Sequence, residues 1–227
     1  MIQFLRPIGV LLWKDILLEL RSRDLVVSVL VFGLVVAVVF NFALNATPSF
    51  SRRTALVAPG ILWVAFAFAG VLAMNRAFVR EKEEGGLDGL LLTPVSRDAI
   101  FLGKAAASFL FMLLVEAALL PIFAALLNFS VVSFTLILTI VLATLGFALV
   151  GTLFSAIAVQ TRSREILLPV LFFPVILPVL VGAVEATKQA IGGQTLVGLG
   201  HWLPLLGAFD ALFLVICPWA FSIVVEE

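Results

Sequence analysis

Few side chains in this sequence could do chemistry, and they lie far apart. Glu116 stands among Leu113, Leu114, Val115 and Leu119, and Asp210 stands inside the apolar run from Leu205 to Val225. A carboxylate within a lipid-spanning segment faces the protein interior and is a candidate for handling protons, ions or substrate. Its plainer role is a structural hydrogen bond to a neighbouring helix. His201 is the one histidine and Cys217 the one cysteine, so no intrachain disulfide and no cysteine-based metal site can form. No G-x-x-x-x-G-K-[ST] loop is present, because the Gly85-Gly86 pair lacks the lysine and hydroxyl that cradle phosphates. No G-x-S-x-G elbow for a nucleophilic serine is present either.

The densest polar stretch runs from Arg76 to Lys104. A helix is expected to carry Arg80-Glu81-Lys82-Glu83-Glu84 out of the membrane, and Gly85-Gly86 breaks it. Leu87-Asp88-Gly89-Leu90-Leu91-Leu92 then forms a short helix with Leu87, Leu90 and Leu91 on one face, and Thr93-Pro94 stops it. Ser96 is placed to cap the following helix, with Asp98 in its first turn. Leucines exposed in water cost stability unless a partner covers them, and a short amphipathic helix fits a partner's groove. The acids Glu81, Glu84 and Asp88 would set orientation and register. The bland alternative is a helix folded back onto the lipid interface.

What positions these groups is a bundle of membrane helices. Of 227 residues, 63% are hydrophobic and 12% charged, about half the charge of a soluble domain. Six apolar runs are expected to span, at about 25–44, 55–75, 100–127 (broken at Pro121), 131–159, 166–184 and 205–225. Each supplies the roughly 20 residues that a hydrocarbon slab of about 30 Å requires. The first run is too long for a signal-peptide core and reads as a retained span. Residues 2–22 carry too many charges to cross. Ile2, Leu5, Leu12, Trp13, Ile16 and Leu20 recur on one face, with Gln3, Lys14, Asp15, Arg21 and Ser22 elsewhere, which predicts an amphipathic helix at the membrane surface. The chain reads as a single transmembrane domain over 1–227.

Lysine and arginine give the bundle a direction. Arg6, Lys14, Arg21, Arg23, Arg76, Arg80, Lys82, Arg97, Lys104, Arg162 and Arg164 fall on one side, and Arg52, Arg53 and Lys188 on the other. The positive-inside rule puts the first group, and both termini, in the cytoplasm. An even number of spans agrees.

The segment Val79-Arg80-Glu81-Lys82-Glu83-Glu84-Gly85-Gly86-Leu87-Asp88-Gly89-Leu90-Leu91-Leu92-Thr93-Pro94-Val95 resembles the cytoplasmic loop of the haem exporter protein B family. The opening Leu12-Trp13-Lys14-Asp15-Ile16, with Glu19-Leu20-Arg21-Ser22, is also similar to that family's start. Those proteins are permease subunits of the cytochrome c maturation ABC transporter. The resemblance implies an ABC-2 type exporter fold with an N-terminal interfacial helix, six spans, and a coupling helix between spans 2 and 3. It implies that a cytoplasmic ATPase, acting as a dimer, docks on Glu81, Glu84, Gly85, Leu87, Asp88, Leu90, Leu91 and Pro94. Other maturation subunits, including a haem-handling protein, would be further partners in the bacterial inner membrane; no nucleic acid is expected. ATP would sit on the partner and haem would be pathway cargo, with no cofactor held by this chain. Haem iron is bound by His, Cys, Met or Tyr, and Met112 and Cys217 read as core. His201, with Trp202, is then the one reasonable haem contact, and an interfacial Trp-His anchor is the plainer reading.

Two other readings compete. An ion-coupled secondary transporter would use Glu116 or Asp210, although no inverted repeat of broken helices is evident. A membrane enzyme such as a protease is disfavoured, since no G-x-S-x-G elbow appears and the single histidine lies outside the spans. Three further features concern packing. Thr144, Ala148, Thr152 and Ala156 place small residues on one face, either an internal seam or a subunit interface. Pro169, Pro174 and Pro178 predict a bent fifth span. Residues 185–203, rich in glycine and alanine, read as a surface loop or a re-entrant hairpin.

Overall fold

The structure, a computed structural model, describes residues 2–21, 23–45, 50–83, 89, 93, 95–129, 133–159, 164–196 and 198–225. Seven long helices occur among the described residues: α1 (Ile2–Arg21), α2 (Arg23–Asn45), α3 (Phe50–Glu83), α4 (Arg97–Leu127), α5 (Phe134–Val159), α6 (Arg164–Ile191) and α7 (Trp202–Val224). Helices α2 to α7 are each long and apolar enough to cross a membrane. Helix α1 is not, and it packs along α4. The chain is a multi-pass, all-helical membrane protein.

Helix α5 is apolar on every side, as a helix surrounded by others must be. It touches α3, α4, α6 and α7. Thr144, Ala148, Thr152 and Ala156 are all buried within the chain, so the small-residue stripe is an internal seam. Lipid is as apolar as these side chains, so cohesion comes from close packing and polar bonds rather than from water exclusion. Phe147 stacks on Trp63 at 6.2 Å and meets Phe172 edge-on at 5.5 Å. A Cβ at Gly151 would run into the buried Met74 side chain. Helix α2, by contrast, leaves Val31, Val35, Val39 and Phe42 exposed, a face suited to lipid.

Several expectations about the spans change. Pro121 does not break α4, which runs through it unbroken to Leu127. A proline removes one backbone bond, but neighbouring helices hold the segment straight enough for the ladder to resume. The helix ends where Asn128 turns left-handed, at φ 53°, a conformation asparagine tolerates at this position. Ser96 does occupy the N-cap, but its side chain makes no capping bond; its carbonyl accepts from the Ala99 and Ile100 amides instead. Helix α6 contains all three prolines and still extends to Ile191, past the expected end at Val184. Residues 185–191 are therefore helix rather than loop. The described residues from Gly192 to His201 form turns, with Gly193 at φ 80° and Gly200 at φ 58°. No re-entrant helix occurs among them.

The extension of α6 has a visible cause. Trp63 Nε1, fully buried on α3, donates to Thr187 Oγ1 at 2.9 Å. An indole N–H in a dry interior needs an acceptor, and the helical continuation past Val184 brings Thr187 to it.

Candidate functional site

Helix α3 continues past its apolar part to Glu83, so Glu81 lies on this helix. Glu84, Gly85, Leu87, Asp88, Leu90, Leu91 and Pro94, the rest of the anticipated docking surface, lie outside the described residues. Gly89 and Thr93 are described, and both are exposed. Helix α4 starts at Arg97, immediately after this loop.

The first turns of α4 carry a group that the sequence did not single out. Lys104 is 5% exposed and its ammonium lies 3.6 Å from Asp15 Oδ2 of α1. Asp15 also meets Lys14 at 3.1 Å. Glu19, one turn further along α1, is half-buried and its Oε2 has no hydrogen-bond partner. Burial pushes the Glu19 carboxyl up to about 8; Asp15 beside it acts in the same direction, and Lys104 only partly opposes them. The two helices approach closely here because Gly103 lacks a side chain. A Cβ on it would sit 3.0 Å from Leu11 Cβ.

This geometry corrects the polarity of α1. Asp15 was expected on the side away from the apolar face. Leu11 is buried, Asp15 and Glu19 lie one and two turns along the same inner face, and Trp13 and Leu17 point outward. Helix α1 therefore has an apolar outer face for lipid and an inner face that carries acids. Lys104 was counted only as a cation flanking the loop. A lysine between Gly103 and Ala105-Ala106-Ala107, where a charge needs a partner, was the signal available.

Glu116 is 3% exposed and accepts a 2.7 Å hydrogen bond from Thr144 Oγ1 of α5. Its Oε1 has no partner. Beside it, a cavity of about 10 Å³ lies between α2, α3 and α4, lined by Val29, Phe66, Gly70, Met112 and Glu116. That is about the room one water requires. Asp210 is also buried, and neither of its oxygens has a hydrogen-bond partner. It packs against α5 at Gly146, where a Cβ would fall 2.9 Å from Oδ1. Thr144 and Gly146 are two residues apart, about 200° around a helix. The two carboxylates therefore flank α5 on opposite sides and do not share one site.

His201 is exposed, and its ring lies 4.2 Å from that of Trp202. With the Gln189 amide oriented to satisfy both neighbours, its oxygen accepts from Trp202 Nε1 at 3.2 Å and its nitrogen donates to Gly198 O at 3.1 Å. The pair thus pins the turn after α6 to the start of α7. Met74, Met112 and Cys217 are all buried core. No cluster of three His, Cys, Asp or Glu side chains that could hold a metal occurs among the described residues.

Comparison with known proteins bears on the whole chain. Heme exporter protein B of Haemophilus influenzae is 30% identical over 210 residues, covering 92% of each chain. Heme exporter protein B of Bradyrhizobium diazoefficiens is 28% identical over 214 residues, 94% of each chain. The Pseudomonas aeruginosa protein of the same name is 29% identical over 210 residues, 91% of this chain and 90% of its own. The family model described as CcmB protein matches residues 7–227, and the chain accordingly belongs to the CcmB family.

Proposed function

We propose that this chain is the membrane permease subunit of an ABC transporter that acts in haem delivery for c-type cytochrome biogenesis, with ATP hydrolysis supplied by a separate cytoplasmic ATPase dimer. The observation that carries the reading is membership of a family whose relatives named heme exporter protein B match over 92–94% of the chain. The chain does no chemistry itself. Its loop at 76–98 meets the ATPase, with Leu87, Leu90 and Leu91 filling a groove and Glu81, Glu84 and Asp88 pairing with basic residues. Both termini and this loop are cytoplasmic.

The geometry supplies a route for the motion. A push on the loop reaches the start of α4 directly, since α4 begins at Arg97. It then reaches α1 through Lys104 and Asp15 and through the Leu11–Gly103 contact. Coupling between distant sites needs such a rigid, packed element. The chain holds no cofactor of its own, and haem is cargo handled with other membrane subunits, one of which carries the haem ligands. Glu116 and Asp210 act as buried structural or gating polar groups; an ion-coupled carrier would gather its carboxylates in one site, and these two flank α5 on opposite sides.

The test is co-purification of the ATPase with the Leu90→Asp, Leu91→Asp variant. The complex should be lost while the variant still inserts in the membrane. An undiminished complex would sink the proposal. A pyridine haemochrome assay on the chain purified alone should find no stoichiometric haem.

A further inference from the structure

A cleft of about 490 Å³ opens between the start of α4 and the end of α7, within the roughly 300–1,000 Å³ range of ligand sites. Its polar end is formed by Arg97 and Asp98, and its apolar walls by Leu102, Val215 and Trp219. Val215 and Trp219 are 71% and 66% exposed, so the chain itself does not cover these walls. Arg97 also donates to Ser222 O at 3.3 Å, which fixes the guanidinium at the mouth of the cleft.

What fits is set by the charges. A guanidinium presents a fork of donors matched to phosphate. A carboxylate beside it accepts from an ammonium. The occupant brings an anion and a cation within a few bonds of each other, with an apolar strip running along α7. We propose that this cleft binds one zwitterionic phospholipid with a primary-amine headgroup, its phosphate on Arg97, its ammonium on Asp98 and an acyl chain along Leu102, Val215 and Trp219. Trp219 supplies an amphipathic ring of the kind favoured at the headgroup boundary. A bound lipid here would wedge the loop-proximal end of α4 against α7.

The experiment is native mass spectrometry of the full chain, delipidated and then offered phosphatidylethanolamine or phosphatidylcholine. The second lipid carries the same phosphate but no N–H donor. Wild type should retain one phosphatidylethanolamine in preference to phosphatidylcholine. Asp98→Asn should lose that preference while still retaining phospholipid, and the exposed, near-isosteric change leaves the fold intact. Arg97→Gln should lose retention of both lipids, with a melting curve run alongside because Arg97 also holds Ser222. Equal retention of the two lipids by wild type, or a preference unchanged in Asp98→Asn, overturns the proposal. So does a photo-crosslinker at Trp219 that captures a protein helix rather than lipid in native membranes.

Discussion

Lys104 of α4 and Asp15 of α1 lie 3.6 Å apart, with the lysine almost entirely buried. This pair joins a helix that is not apolar enough to cross a membrane to one that is, about two turns from the loop proposed to meet the ATPase. A charge held this deep persists only with a partner, and removing one member weakens the support of the other.

Lys104→Met should therefore destabilise the chain, by about 1–3 kcal/mol, since Asp15 keeps Lys14 as a second partner. Asp15→Asn combined with Lys104→Met should cost less than the two single changes added together. Thermal melts of the four proteins in one detergent measure this. ATPase activity of the reconstituted complex should fall in Lys104→Met and recover in part in the double variant.

Glu19 makes stability depend on pH. Its carboxyl is raised from 4.5 to about 8 in the folded chain, so between these values the folded state holds a proton that the unfolded state has released. Its contribution is fully present below about 4.5 and is lost as pH rises toward about 8. Glu19→Gln should melt like wild type near the acid end of that window and higher than wild type above its alkaline end. Parallel curves across the range would rule out this burial of Glu19.

Trp63 and Thr187 test the extension of α6. Thr187→Val keeps the shape of the side chain and leaves the indole N–H unpaired in a dry interior. The expected loss is about 1 kcal/mol. Trp63→Phe in the Thr187→Val background should add less than it does alone. Hydrogen exchange at 185–191 should rise in Thr187→Val.

Gly146 and Asp210 test the close approach of α5 and α7. Gly146→Ala puts a methyl 2.9 Å from Asp210 Oδ1, closer than side chains pack, and should cost about 1–3 kcal/mol. Asp210→Ala removes the obstructing oxygen, and the double variant should recover much of the loss. Additive losses in the melts would show that the two residues are not in contact.

Thr144→Val removes the one hydrogen bond to Glu116 and should lower stability by about 1 kcal/mol, the scale of polar contacts between membrane helices. Glu116→Gln keeps an acceptor for Thr144 and should be tolerated better than Glu116→Leu. Differential scanning of the three variants orders them.

Much of the architecture is legible in the amino-acid sequence, because lipid imposes a simple rule. A segment that crosses must be apolar for about 20 residues and must satisfy its own backbone, so each span declares itself by composition alone. The amphipathic α1 and the exit of α3 as a charged helix follow from periodicity and charge. The loop between Glu83 and Arg97 carries the family resemblance in its own residues. Tertiary structure decided what depends on which helices meet. Thr144, Ala148, Thr152 and Ala156 became an internal seam only when all four were seen to be buried within the chain, with Thr144 bonded to Glu116 of α4. Lys104 changed from a flanking cation to a buried partner of Asp15, since pairing across 89 positions leaves no mark on local pattern. Pro121 did not break α4, because neighbouring packing outweighs one missing backbone bond, and α6 runs through its three prolines to Ile191. Glu116 and Asp210, alike in sequence as lone acids in apolar runs, were separated onto opposite sides of α5 by the rotation of a helix that neither belongs to.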